Sequence, residues 1–259
     1  MLEINQLTVA YDERPVLRDF SLRMKEGEIT ALVGESGSGK TTAIRSILGL
    51  LPPGGAVTAG TISFEGQRLQ GLSPKDWGFL RGKKISMIFQ DSGAMLNPIR
   101  TIGSQFREYI RTHSDLSKKE AGALSKEMLE RVGLSDPESI LGGYPFQLSG
   151  GQRQRVGIAM AMTFQPKLLL ADEPTSALDV TTQAQIVRQM LELRDTYGTA
   201  ILLVTHNLAV AAYMAGRILV MRNGSTVEQG DRENLLQSQE PYTRQLLQAV
   251  PDLGGKRYV

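Results

Sequence analysis

Apolar positions change their rhythm several times along the chain, and each change marks a predicted element. The first ten residues alternate as a half-buried strand does. EITALVG (28–34) is a short continuous apolar run, the pattern of a strand covered on both faces. TTAIRSILGLL follows with helical spacing, and Pro52-Pro53-Gly54 predicts its end. GTISFEG (60–66) and KKISMIFQ (83–90) predict two more strands, and from Asp91 to Pro166 the rhythm is helical. Within that stretch Ser117-Lys118-Lys119-Glu120 is a capping box opening a helix that runs toward Arg131 and ends at Gly133. A second helix should run from Gly150-Gly151 to about Phe164.

Strand rhythm returns at KLLLAD (167–172) and TAILLVTH (199–206), with a helix predicted between them. This β–α–β alternation implies an α/β protein with a mostly parallel sheet covered on both faces. RILVMRNGSTVEQG (217–230) predicts a hairpin turning at Asn223-Gly224. From Asp231 the tail is helical and ends in a loose GGKRYV.

Composition narrows the class. A chain of 259 residues with 41% hydrophobic and 22% charged residues can bury a proper core. The net charge of +2, with no basic block, argues against a nucleic-acid partner. There is no cysteine, so disulfides, thiolate zinc sites and iron–sulfur ligation within the chain are excluded. The acidic start does not read as a signal peptide, and nowhere do about 18 apolar residues run together. The chain is expected not to span a membrane, though it can sit against one.

The candidate chemistry centres on phosphate. Gly34-Glu35-Ser36-Gly37-Ser38-Gly39-Lys40-Thr41, followed by Thr42, matches G-x-x-x-x-G-K-[ST] with a strand before it and a helix after. Its glycines let the backbone wrap phosphates, Lys40 brings charge to their β/γ end, and Thr41 offers a hydroxyl to Mg²⁺. That pattern predicts binding of a nucleoside triphosphate. The strand 168–172 ends in Asp172-Glu173: Asp172 suits a Mg²⁺-bound water, and Glu173 suits polarising an attacking one. Gln90, at another strand end, can reach Mg²⁺ or that water. His206 caps the next strand, expected beside the one carrying Asp172 and near the γ-phosphate. His113 has no such context and reads as a surface residue.

LSGGQRQR (148–155) raises a second phosphate question. Ser149-Gly150-Gly151-Gln152 fits a capping box that merely starts a helix. Each glycine in that first turn nevertheless costs about 0.5–1 kcal/mol against alanine, which makes sense where something approaches the backbone closely. Spacing alone does not say whose phosphate such a site would hold.

GESGSGKTT, LSGGQRQR, LLLADEPTSALD (168–179) and His206, in that order, resemble the ATPase subunit of ABC transporters over nearly the whole chain. The resemblance implies an ATP-hydrolysing domain with a phosphate-loop core at 1–90 and 166–230, an antiparallel N-terminal β region, a helical signature subdomain at 91–165 and a C-terminal tail at 231–259. It also implies a head-to-tail pair of ATPase subunits, the second a paralogue, in which each ATP lies between one phosphate loop and the partner's LSGGQ. Ser149, Gly150, Gly151, Gln152 and Asp179 would then serve the partner's nucleotide. Tyr11 resembles the aromatic that stacks on adenine, Gln90 the Q-loop glutamine, Glu173 the catalytic carboxylate and His206 the switch histidine. Ser176–Asp179 resembles the loop linking the two sites. Asn207 departs from the Asp expected after that histidine.

Finer features are similar to the peptide/nickel importer branch: ALVGESGSGKT, FQDSGAMLNP (89–98), YPFQLSGGQRQRVGIAMAM (144–162) and EPYTRQLLQAVP (240–251). Ser92 stands where that branch has Pro, and Glu240 where it has His. The short tail without cysteine is more similar to members serving nickel or metal chelates, so uptake of nickel or a metal–chelate complex is the expectation, with dipeptide or oligopeptide import as the alternative. The implied partners are two membrane permeases, contacted through DSGAMLNPIRTIGSQF (91–106), and indirectly an extracytoplasmic binding protein. The implied location is peripheral, on the cytoplasmic face of the inner membrane. Met95, Leu96 and Ile99 in that loop suit either packing or docking. Outside this class stand a soluble, non-transport ABC ATPase and a regulatory nucleotide switch. Only 58 residues separate Gln90 from Ser149, too few for the coiled-coil insertion of the chromosome-associated type.

Overall fold

The computed structural model describes residues 1–176 and 178–248. They fall into two units, 1–73 with 200 onward, and 74–199.

In the first unit, β1 (Leu2–Tyr11) and β2 (Arg14–Met24) form an antiparallel pair across a turn in which Asp12 and Glu13 both have positive φ. The second strand was not anticipated. Its buried residues Leu17, Phe20, Leu22 and Met24 break strict alternation because a bulge at Asp19 (φ 47°) inserts an extra residue. Pro15 near its start fits an edge strand. β3 (Ile29–Val33) is buried at every position. After the phosphate loop comes α1 (Lys40–Leu48), which is capped by Gly49 (φ 61°) and ends three residues short of the predicted Leu51. The left-handed Gly49 donates its N–H to the Arg45 and Ser46 carbonyls, so the glycine rather than Pro52 stops the helix. β4 (Gly55–Phe64) and the short β5 (Gln67–Arg68) complete a four-stranded antiparallel sheet in the order β2-β1-β4-β5.

The second unit opens with α2 (Pro74–Leu80) and β6 (Ile85–Ile88). Four helices follow: α3 (Ile102–His113), α4 (Lys118–Arg131), α5 (Pro137–Gly142) and α6 (Gly150–Met162). The expected capping box is present: the Glu120 N–H donates to Ser117 Oγ (3.3 Å) and the Ser117 N–H to Glu120 Oε2 (2.8 Å). β7 (Leu168–Asp172) lies parallel to β6, with Ile85 opposite Leu168, and α7 (Val180–Tyr197) ends at the left-handed Gly198.

The chain then returns to the first unit with β8 (Ala200–Thr205), α8 (Leu208–Met214), and the hairpin β9 (Arg217–Arg222) and β10 (Ser225–Gly230). Asn223 and Gly224 have φ of 50° and 83°, as the predicted two-residue turn requires. β3 is flanked by two parallel neighbours, β8 and β9. α9 (Arg232–Leu236) and α10 (Pro241–Gln248) follow, and the GGKRYV end lies outside the described residues. No helix among the described residues is long and apolar enough to cross a membrane.

His113 corrects an expectation. It is half-buried rather than on the surface, edge-on to Tyr109 (centroids 5.0 Å) and to Phe164 (5.9 Å). Burial, and then the nearby Lys83 charge, lower its pKa.

Candidate functional site

The phosphate loop is a strand-to-helix turn whose helix is left open to an anion. Side chains cap α3 (Thr101), α4 (Ser117), α5 (Asp136), α6 (Ser149), α7 (Asp179), α8 (Asn207) and α9 (Asp231). The N-cap of α1 is Gly39 (φ 102°), which offers no side chain, and the first turn of α1 has no acidic residue. The positive end of the α1 dipole is therefore not covered by a capping side chain or a first-turn carboxylate, the arrangement that suits a phosphate. Lys40, buried, folds back to donate to the Gly34 carbonyl (2.7 Å), the Glu35 carbonyl (2.8 Å) and Ser38 Oγ (3.3 Å). Gly34 is required by space: a Cβ there would lie 2.2 Å from the Met221 carbonyl oxygen.

The parallel register places His206. Val33 pairs with Thr205, so Gly34 and His206 leave adjacent strand ends together. His206 is exposed. Asn207 caps α8, its Oδ1 accepting the N–H groups of Ala209 (3.0 Å) and Val210 (3.2 Å). That accounts for a side chain here that can serve as a cap without carrying a charge. Tyr11 ends β1 half-buried with its ring against Gly55, where a Cβ would meet its Cε1 at 2.6 Å.

In the second unit Asp172 is buried at the end of β7, and Glu173 follows with φ 49°. A left-handed glutamate is an uncommon, strained conformation of the kind found at functional sites. The turn is held by Ser176, whose N–H (3.1 Å) and Oγ (2.9 Å) donate to the Glu173 carbonyl. Ser176 Oγ also lies 3.5 Å from the carbonyl oxygen of Gln90, which brings Gln90 beside the Glu173 turn. Gln154, from LSGGQRQR and unnoticed in the sequence, is buried and donates to the Pro174 carbonyl at 2.8 Å, tying α6 to the same turn.

The Ser149–Gln152 capping box forms, the Gln152 N–H donating to Ser149 Oγ (3.2 Å) and the Ser149 N–H to Gln152 Oε1 (2.8 Å). The two glycines behind it differ. A Cβ on Gly150 would meet only Leu178 at 3.7 Å, whereas one on Gly151 would lie 2.8 Å from Thr182 Cγ2. What closely approaches Gly151 is therefore a side chain of this chain, and Gly150 is the glycine left open. Asp179 holds that threonine: Thr182 N–H donates to its Oδ1 (3.0 Å) and Thr182 Oγ1 to its Oδ2 (2.6 Å). These bonds keep the exposed Asp179 carboxyl below its ordinary pKa. Of the linking segment 176–179, Ala177 lies outside the described residues. A polar cavity of about 780 Å³ opens here, lined by Ser149, Gly151, Gln152, Arg155 and Thr182 among others.

The loop at 91–106 divides its apolar residues. Leu96 is buried, while Met95 and Ile99 are 60% and 82% exposed. Ser92 is buried against α6, where a Cβ on Gly157 would lie 2.6 Å from its Oγ. Among the described residues no cluster of three or more His, Cys, Asp or Glu is placed to hold a metal ion alone.

These features define a P-loop ATPase with a helical signature region, and residues 17–176 match the ABC transporter family model. The chain belongs to that family and is an ABC-type ATPase, binding ATP and coupling its hydrolysis to transport. It is 42% identical over 99% of its length to the oligopeptide transport ATP-binding protein AppD of Bacillus subtilis, covering 80% of that protein. It is 44% identical over 97% of its length to the dipeptide transport ATP-binding protein DppD of Escherichia coli, covering 79% of it. Among solved structures, the dimeric bacterial ABC transporter cassette MJ0796 superposes with a TM-score of 0.80 and 30% identity, covering 90% of this chain and 100% of that one. The same cassette in a post-hydrolysis dimer bound to ADP and Pi gives a TM-score of 0.79. The relatives' names favour peptides over the nickel or metal chelate inferred from the tail, a feature that says nothing about cargo.

Proposed function

We propose that this chain powers import of dipeptides or oligopeptides through two membrane permeases, from a peripheral position on the cytoplasmic face of the membrane. The observation that supports the cargo is near full-length similarity to ATP-binding proteins named for dipeptide and oligopeptide transport. ATP would sit with its phosphates on the N–H groups of residues 37–42, drawing Lys40 off the Gly34 and Glu35 carbonyls toward the β/γ-phosphates. Tyr11 would lie against the adenine.

Mg²⁺, when bound, would neutralise charge developing on the phosphate oxygens, held through Thr41, Gln90 and Asp172. Their hard oxygen donors suit it. Glu173, presented by its strained turn, orients the attacking water and accepts its proton, and His206 steadies the γ-phosphate. A second ATPase chain, packed head to tail, would receive Ser149, Gly150, Gly151, Gln152 and Asp179 at its own nucleotide. The exposed Met95 and Ile99 form the apolar part of the permease contact.

Affinity purification of the full chain from its own membranes tests this reading. Permease subunits should co-purify, and ATP hydrolysis by the complex should rise with peptide-loaded binding protein. Capture of ribosomes or chromosomal DNA, with no membrane protein, would replace the transport reading by the soluble one.

A further inference from the structure

EPYTRQLL marked a family branch in the sequence, but the structure gives one of its residues a place at the phosphate loop. Tyr242, in α10, is 2% exposed, and its hydroxyl accepts the N–H of Glu35 at 2.9 Å. Glu35 is the second residue of GESGSGKTT, 207 positions away. The same peptide is engaged on its other side, since its carbonyl, that of Gly34, accepts from Lys40 Nζ (2.7 Å). The next carbonyl along, that of Glu35, accepts from Lys40 Nζ (2.8 Å) and from the Ser38 N–H (3.2 Å). Tyr242 thus holds the peptide whose carbonyl receives Lys40.

Neighbouring contacts favour a designed brace over a chance partner for a buried hydroxyl. The Arg222 guanidinium stacks over the Tyr242 ring, 4.8 Å from its centroid. Two residues on, the Gly224 N–H donates to the Ser38 carbonyl (3.1 Å), so the β9–β10 turn and α10 grip successive parts of one loop. α10 is itself fixed at its start. Glu240 Oε2 accepts the Thr243 N–H (2.7 Å), the Glu240 N–H donates to Ser238 Oγ (3.0 Å), and Ser238 Oγ donates to the Glu228 carboxylate. Glu240, where the related branch carries His, is the cap of this helix.

We propose that Tyr242 is a positioning residue for ATP. When Lys40 leaves the Gly34 carbonyl for the phosphates, the Tyr242 bond is the anchor that keeps the Gly34–Glu35 peptide in place. The loop's later N–H groups then stay aimed at the phosphates without reordering on binding. This rests on the assignment of residues 34–42 as the grip for ATP.

The test uses the full chain in three variants, with ATP affinity measured by calorimetry. Tyr242→Phe keeps the ring and its stacking but orphans the Glu35 N–H, and should weaken ATP binding about fivefold, the scale of one neutral hydrogen bond. In the assembled transporter KM for ATP should rise with kcat unchanged. Lys40→Ala should lose ATP binding, and Tyr213→Phe, altering an exposed ring, should match the wild type. Amide exchange without nucleotide gives an independent readout: Tyr242→Phe should exchange faster across residues 35–39 and unchanged across β1 and β4. Normal affinity and normal exchange in Tyr242→Phe, with binding lost in Lys40→Ala, would overturn the role of Tyr242 alone. Normal binding in Lys40→Ala would overturn the phosphate-loop assignment and this inference with it.

Discussion

Thr182 carries its methyl group to the point where a side chain at Gly151 would begin, 2.8 Å from an ideal Cβ there. It cannot turn away freely, because its hydroxyl is bonded to Asp179 Oδ2 (2.6 Å). The second signature glycine and the cap of α7 therefore form one packed corner. Gly151→Ala should leave ATP binding by the isolated chain intact, yet lower hydrolysis in the assembled transporter about 10²-fold, the effect of an ångström-scale misplacement. Adding Thr182→Ser removes the methyl and keeps the hydroxyl for Asp179, so the double variant should recover most of that loss. A double variant no better than Gly151→Ala would show that the glycine is needed for something other than this contact.

Glu173 sits in a strained turn at the end of a buried strand. Glu173→Gln should keep ATP affinity and slow turnover by about 10²–10⁴-fold, the range of acid–base assistance. The nucleotide-bound pair of ATPase chains should also persist on size exclusion, since hydrolysis would no longer separate them. Turnover near the wild-type rate would remove Glu173 from the chemistry.

Asn207 caps α8 with its amide oxygen. Asn207→Ala should cost about 1 kcal/mol of stability, as loss of an N-cap does, whereas Asn207→Asp should be close to neutral. Thermal or urea unfolding of the three proteins decides this. Wild-type stability in Asn207→Ala would mean that the cap contributes nothing.

His113 and His206 are the only histidines, which makes their ring signals easy to separate by NMR. His113, enclosed by Tyr109 and Phe164, should titrate below the ordinary imidazole value of about 6.5. The unfolded chain then takes up this proton at a higher pH than the folded one. The stability tied to neutral His113 is complete above that ordinary value and is lost as pH falls from it toward the folded pKa. His113→Gln, which cannot take up the proton, should flatten this part of the stability–pH curve. A His113 titration at or above the ordinary value would contradict its burial.

The buried parallel strands, the capping boxes of α4 and α6 and the Asn223-Gly224 turn were legible because each is a local pattern. β2 was not, since a bulge at Asp19 disrupts its alternation. The phosphate loop and the Glu173 turn were legible as motifs. The bonds that hold them were not: Tyr242 to Glu35 and Gln154 to Pro174 join residues far apart in sequence, and no local rhythm announces such pairs. His113 was misplaced for the same reason, its aromatic neighbour Phe164 lying on another segment. The tail and the relatives' names point to different cargoes, because an ATPase that need not touch the cargo keeps no record of it in its own side chains.

The central claim, that this ATPase drives peptide import, is tested most directly by uptake of a radiolabelled dipeptide and of nickel in cells lacking the subunit. The account predicts that peptide uptake is lost and nickel uptake unchanged. The wild-type chain should restore peptide uptake, and Glu173→Gln should not. Normal peptide uptake in the deletion strain, with loss of nickel accumulation, would contradict it.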